Sequence, residues 1–222
     1  MADTIAHPEV YEEKLTAKLI LSGALAETIA GACVLVITII GLAGFMPMSM
    51  LAIATMGLGV SFLFEGGAVA SRVSNLLSEV TEGRVDIAEL GGGLSAEFIA
   101  GLGGITLGIL ALVNVAPMVL APIAAIIFGG ALVMGAGVKA RINHLTISQE
   151  EHKLVREIAR QALIGVSGVE ILVGLGTIAL GILAILHISP VVLTLVAVLS
   201  VSGMLLLGGT AIGARMLSLF RH

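Results

Sequence analysis

The segment ETIAGACVLVITIIGLAGFMP at residues 27–47 recurs as EFIAGLGGITLGILALVNVAP at 97–117 and as EILVGLGTIALGILAILHISP at 170–190. Each copy begins with a glutamate, has a glycine four residues later and ends on a proline twenty residues after the glutamate. An arginine follows 45, 44 and 45 residues after the three glutamates, at Arg72, Arg141 and Arg215. Because a sequence repeat of fixed length indicates a repeated structure, we predict one structural unit that is present in three copies.

The composition indicates that this unit lies in a membrane. Of 222 residues, 58% are hydrophobic and 12% charged, and the mean hydropathy is +1.13. A water-soluble domain of this length carries more charge, whereas about 20 apolar residues in a helix cross a bilayer. Each unit offers two such runs. We therefore predict an all-α integral membrane protein whose six transmembrane helices form three tandem, parallel helical-hairpin repeats with pseudo-three-fold symmetry.

The predicted organisation is a single membrane domain over residues 1–222, with repeats at 15–72, 89–141 and 162–215 and cytoplasmic linkers at 73–88 and 142–161. The turns that precede the three prolines contain no lysine or arginine, and all eleven basic residues lie in the terminal segments, the linkers or the linker-side ends of the hairpins. Because basic residues favour the cytoplasmic side, both termini are predicted to be cytoplasmic, in a plasma (inner) membrane.

The charged residues within the apolar runs are the candidate site. Twenty helical residues cover about 30 Å, so the repeated glutamates are predicted near the cytoplasmic boundary of the bilayer, at the level of the repeated arginines. The expected arrangement is a structural ion-pair ring formed by Glu27, Glu97, Glu170, Arg72, Arg141 and Arg215.

One acidic residue breaks the repeat. Glu65 lies eighteen residues after Pro47, where the other two repeats have Gly135 and Gly208. A buried acid that occurs in only one repeat is a candidate ion or proton site.

The middle of the bundle is predicted to be dry. The few hydroxyl groups of the first helices, on Thr38, Thr106 and Thr177, are compatible with hydrogen bonds to their own helix backbones. Bulky apolar residues are expected to occupy the same layer, among them Ile39, Ile40, Ile109, Leu110, Ile182 and Leu183.

These features favour a non-catalytic protein with a structural or accessory role, which forms oligomers or arrays or supports a larger membrane complex. The alternative is a proton or cation channel or transporter that uses Glu27, Glu97, Glu170 and Glu65. The predicted partners are the lipid bilayer and either further copies of the chain or other membrane proteins, with no nucleic acid.

No arrangement of residues indicates an enzyme, a cofactor or a metal site. The five histidines never fall three or four residues apart, and no catalytic triad or pair of catalytic carboxylates is visible. Cys33 is the sole cysteine, and we expect it to be a small buried hydrophobic residue.

The third repeat carries a resemblance to a known family. The run GLGTIALGILA at 174–184, Pro190 at the turn and the run SGMLLLGG at 202–209 resemble the HdeD-like acid-resistance membrane proteins, a six-span family. That resemblance implies three similar helical hairpins.

Overall fold

A computed structural model describes residues 28–79, 87–147 and 153–219. These residues are helical except at three short turns, which confirms the all-helical prediction for this part of the chain. The helices are α1 (Thr28–Leu42), α2 (Pro47–Glu79), α3 (Ile87–Leu112), α4 (Pro117–Ile147), α5 (Lys153–Ile185) and α6 (Pro190–Leu219).

Among the described residues, four helices contain stretches that are long and apolar enough to cross a membrane, namely Pro47–Gly66, Pro117–Gly137, Ser167–Ile185 and Pro190–Gly208. Each has 19 to 21 residues, which is about 30 Å of helix. The apolar stretches described in α1 and α3, Thr28–Leu42 and Ala96–Leu112, are shorter. By length and composition, the described helices are therefore compatible with a membrane protein.

The three turns share one backbone geometry. In the first, the N–H of Gly44 donates to Gly41 O at 3.1 Å and the N–H of Phe45 donates to Ile40 O at 3.3 Å. These two bonds define a Schellman motif, which needs a left-handed residue after the helix. Gly44 supplies it with a φ of 91°. Asn114 and His187 occupy the same place with φ values of 66° and 65°, and the same pair of bonds forms at each.

The proline that follows each turn is the first residue of the next helix. Proline suits this position because its missing N–H has no helical partner there and its φ is already helical. Each turn therefore ends one helix and starts the next within a few residues, which fixes the paired helices as tight hairpins.

The second helices of the hairpins form the inside of the bundle. In the described residues, α2, α4 and α6 contact one another, and their side chains fill the centre. Phe62 and Phe128 are fully buried and stack in parallel, with ring centroids 5.2 Å apart. Leu58 and Leu132 are buried beside them.

The first helices lie on the outside, which corrects two expectations. Ile39, Ile109 and Ile182 are exposed, as are Ile40, Leu110 and Leu183, so the prediction that they fill the middle of the bundle is wrong. The second helices supply that layer instead. Cys33, predicted to be buried, is also exposed. All of these side chains lie on outward faces of α1, α3 and α5, where lipid is the expected neighbour.

Glycines set the contacts between neighbouring hairpins. A Cβ built on Gly101 of α3 would lie 2.8 Å from Gly59 O of α2, and one on Gly174 of α5 would lie 2.7 Å from Gly129 O of α4. A Cβ on Gly31 of α1 would lie 3.4 Å from the carbonyl oxygen of Ser202 in α6. Such backbone contact is typical of helices that associate in lipid. Because α1 packs on α6 in this way, the last hairpin is joined to the first.

The helices continue through part of both predicted linkers. Helix α2 extends to Glu79, α4 extends to Ile147 and α5 begins at Lys153. The remaining linker residues, 80–86 and 148–152, lie outside the described part. Arg72, Arg141 and Arg215 therefore fall within the helical segments of α2, α4 and α6.

Candidate functional site: a buried carboxylate cluster

Three glutamates from three helices meet inside the bundle. Glu65 of α2, Glu97 of α3 and Glu170 of α5 are 8%, 2% and 4% exposed. One carboxylate oxygen of each lies within 4.8 Å of the corresponding oxygens of the other two. We call these residues the carboxylate cluster. They belong to three different hairpins, so the cluster exists only in the assembled bundle.

The helix geometry explains why these side chains reach one point. Glu97 lies fifteen residues before the end of α3 and Glu170 lies fifteen residues before the end of α5, about 22 Å of helix in each case. Glu65 lies eighteen residues after Pro47 at the start of α2, about 27 Å along the helix. The cluster therefore lies about halfway along α2 and α5, close to the ends of their apolar stretches at Gly66 and Ser167.

Two glycines admit Glu97 to the interior. A Cβ on Gly66 of α2 would lie 3.5 Å from the Cβ of Glu97. A Cβ on Gly135 of α4 would overlap Oε1 of Glu97 and would lie 3.1 Å from its Cδ. Glu97 thus extends from the outer helix α3 between two inner helices, and its carboxylate occupies the space beside Gly135.

Three buried carboxylates so close together need positive charge to be stable. Two carboxylates about 4.8 Å apart repel by about 3 kcal/mol at an effective dielectric of about 20, and the cluster contains three such pairs. Burial adds the cost of removing each charge from water. Three ionised glutamates are therefore stable here only if protons, a cation or basic side chains offset their charge.

The oxygen spacing also suits a metal ion. Calcium binds carboxylate oxygens at about 2.3–2.6 Å, so ligands on opposite sides of the ion are about 5 Å apart. Oxygens that lie within 4.8 Å of one another fit inside that coordination shell. The donors are all carboxylates, which is the chemistry that hard divalent cations prefer.

The structure brings together residues to which the main prediction gave different roles. That prediction made Glu65 a candidate ion or proton site and placed Glu97 and Glu170 in an ion-pair ring, whereas the channel or transporter alternative used all three together with Glu27. All three lie in one cluster. Glu27 and the side chains of Arg72, Arg141 and Arg215 lie outside the described part of the chain, so the ring of ion pairs stays a prediction.

Sequence reasoning missed Gly66 and Gly135 as parts of the site. The signal was available for Gly135, because the three repeats align it with Glu65. A glycine that replaces an acid on an inward face leaves room for another side chain. Nothing in the repeat shows that Glu97 fills the space, because this depends on how α3 packs against α4.

The interior between the cluster and the turns is apolar. The hydroxyls of the buried Thr38 and Thr177 donate to Val34 O and Val173 O at 2.7 and 2.8 Å, and the exposed Thr106 donates to Leu102 O at 2.9 Å, as predicted. The buried hydroxyls of the inner helices bond in the same way, at Thr55, Ser61, Thr194 and Ser202. In the described residues, these polar groups serve their own helices.

Comparison with protein-family models, with curated proteins and with solved structures gives no match to this chain.

Proposed function

We propose that the protein is a membrane protein that binds a cation at the carboxylate cluster. The observation that carries this proposal is the burial of Glu65, Glu97 and Glu170 with their oxygens within 4.8 Å of one another. Ionisable residues inside a membrane are costly and are usually functional. The cluster draws one carboxylate from each of three hairpins.

The proposed topology has six membrane spans and pseudo-three-fold symmetry, with the cluster near the cytoplasmic boundary and both termini in the cytoplasm. Equivalent contacts support the symmetry. Gly31 packs on Ser202 of α6, Gly101 packs on Gly59 of α2 and Gly174 packs on Gly129 of α4. Residues 31, 101 and 174 are spaced 70 and then 73 residues apart, and residues 59, 129 and 202 have the same spacing. The distribution of basic residues supports the orientation.

The proposed ligand is a divalent cation of calcium type, which competes with protons for the same carboxylates. The all-carboxylate donor set favours a hard cation, and calcium tolerates an irregular coordination shell. Magnesium holds its own water molecules more strongly and needs a regular octahedron, so an apolar interior suits it less well.

The test measures stability against ligand concentration. The full chain is purified in mild detergent and treated with a chelator, and its thermal unfolding is followed while CaCl₂, MgCl₂ or NaCl is added at constant ionic strength. Binding to the folded state alone adds about 2.7 kcal/mol at a hundredfold excess over the dissociation constant. We expect calcium to raise the unfolding temperature and Glu65→Gln, Glu97→Gln and Glu170→Gln each to abolish most of the increase.

The control variant is Glu79→Gln. It makes the same chemical change on the same helix, fourteen residues after Glu65, about 21 Å away by helix rise, and should leave the calcium response intact. A calcium response that persists in all three cluster variants, or no response of the native protein to any of the cations, contradicts the proposal.

A structural or accessory role is the second candidate. The apolar interior between the cluster and the turns favours it over a channel or transporter, because a transport path needs polar groups across the whole bilayer. In this case the glutamates pair with arginines. Glu97→Gln and Arg141→Gln should then lower thermal stability by similar amounts, and calcium should have no effect on either variant or on the native protein.

A further inference from the structure

We infer that Gly135 is the positioning residue of the carboxylate cluster, the residue whose missing side chain allows Glu97 to join Glu65 and Glu170. This inference rests on the proposed function for its meaning, but its geometry can be tested separately. Gly135 makes no chemical contribution of its own. It acts through the location of the Glu97 carboxylate.

The Glu97 carboxylate fills the space beside Gly135. A Cβ at this position would overlap Oε1 of Glu97, and it would lie 3.1 Å from Cδ and 3.6 Å from Cγ. Glu97 is also the most buried member of the cluster, at 2% exposure. The carboxylate therefore occupies the volume that any larger residue at position 135 would take.

The alignment of the repeats also points to Gly135. Position 135 corresponds to Glu65, seventy residues earlier. In the first repeat the inner helix supplies its own carboxylate at this place. In the second, the inner helix has glycine, and the carboxylate comes from α3 instead. The two repeats reach the same cluster by two different routes.

Gly135 differs from the glycines at which neighbouring helices touch. A Cβ on Gly59, Gly101, Gly129 or Gly174 would meet backbone atoms of a neighbouring helix. At Gly135 the atoms in the way belong to the end of one flexible side chain. Alanine at position 135 should therefore move the Glu97 carboxylate without parting the helices, and it favours the helix by about 1 kcal/mol.

Gly135→Ala is the test variant and Gly137→Ala its matched control. Gly137 lies on the same helix, two residues further on, and a Cβ there meets nothing within 4 Å in the described part. With calcium as the probe, we expect Gly135→Ala to weaken binding at least tenfold, as Glu97→Gln does, while Gly137→Ala binds like the native protein. Both glycine variants should unfold at or above the native temperature in chelator.

A rescue variant distinguishes positioning from packing. Glu97→Ala combined with Gly135→Asp returns a carboxylate to the cluster from α4, in the way that α2 supplies Glu65. We expect the double variant to recover calcium binding to within about tenfold of native, whereas Glu97→Ala alone does not. Native-like calcium binding by Gly135→Ala, or no recovery in the double variant, would overturn the inference.

A disulfide tests the geometry without any ligand. Glu97→Cys with Gly135→Cys, in a Cys33→Ser background, should cross-link under mild oxidation. The Cγ of Glu97 marks the place of a cysteine sulfur and lies 3.6 Å from a Cβ built on residue 135, close enough for the second sulfur to reach it with a bond of about 2.05 Å. Glu97→Cys with Gly137→Cys should not. If the native protein does not bind calcium but the first cysteine pair cross-links, the proposed function is wrong and the inference that Gly135 positions Glu97 is supported. If the first pair does not cross-link, the positioning fails.

Discussion

Glu65, Glu97 and Glu170 have a stability cost that depends on what neutralises them. When ionised without a cation, each carboxylate repels the other two at a separation of no more than 4.8 Å between the nearest oxygens. When a cation or protons are present, the same residues attract a positive charge in a medium of low dielectric. Their contribution to stability is therefore more favourable when a cation or protons occupy the cluster.

This dependence gives the first prediction. Glu65→Gln should lower the free energy of unfolding by about 2 kcal/mol more in saturating calcium than in chelator at pH 8, because the calcium site loses a ligand, whereas in chelator glutamine relieves repulsion between carboxylates. Thermal unfolding of the native protein and of Glu65→Gln in the two buffers measures this difference. If Glu65 served only in a structural ion pair, glutamine would destabilise the protein equally in both.

The turn residues differ in how well they suit the left-handed conformation. Gly44 adopts it without steric strain, whereas Asn114 and His187 have a Cβ in the same conformation. Left-handed backbone costs a typical residue about 1–2 kcal/mol, and asparagine and histidine tolerate it better than most.

The second prediction follows from this comparison. His187→Gly should stabilise the protein by roughly 1 kcal/mol, and Asn114→Gly by less, because glycine relieves the strain at the same Schellman position. Gly44→Ala should destabilise it for the opposite reason. Thermal unfolding in detergent checks the order Gly44→Ala, native, Asn114→Gly, His187→Gly. A stability loss in His187→Gly would contradict the strain argument.

Helices in this bundle approach through glycine, and the two glycines of a GxG pair have different neighbours. Gly101 faces Leu63 and Gly59 O of α2, whereas Gly103 has only Ile127 Cδ1, at 3.9 Å from a built Cβ. In α5, Gly174 faces α4, and a Cβ on Gly176 meets nothing within 4 Å in the described residues. One member of each pair is therefore a packing residue and the other is tolerant of a side chain.

The third prediction uses these pairs as internal controls. Gly101→Ala and Gly174→Ala should each destabilise the protein by roughly 1–3 kcal/mol, because the methyl group would force neighbouring backbones apart. Gly103→Ala and Gly176→Ala should be neutral or slightly stabilising, since alanine is the better helix former. Thermal unfolding of the four variants checks this, and equal effects within a pair would contradict the packing described here.

The hairpins were predictable from the sequence because their signals are local. Glycine spacing, the proline at the start of each second helix and the length of the apolar runs all lie within one repeat. The meeting of Glu65 with Glu97 and Glu170 was not predictable, because it depends on which faces of three hairpins turn inward. The exposure of Ile39, Ile109 and Ile182 had the same cause: periodicity does not distinguish an outer helix that faces lipid from an inner one when both are apolar all round.

The described bundle is apolar between the carboxylate cluster and the turns. Beyond the carboxylate cluster, on the side of the turns, the inner helices present Phe62, Phe128, Leu58 and Leu132, all fully buried or nearly so. The hydroxyl groups in the same region bond to their own helices. A cation that left the cluster toward the turns would have to lose its remaining water and its carboxylate ligands together, which is very costly in a medium of low dielectric.

The fourth prediction is that the cluster binds cations from one side of the membrane and does not conduct them. In proteoliposomes that contain a calcium-sensitive or pH-sensitive dye, the native protein should give the same calcium and proton flux as protein-free vesicles, although it binds calcium in detergent. Phe62→Ala should leave the flux unchanged, because removing one ring leaves an apolar cavity, which stays dry. Calcium or proton flux above the vesicle background that disappears in Glu65→Gln would show that the apolar centre opens to water, and would favour the channel or transporter over the binding protein.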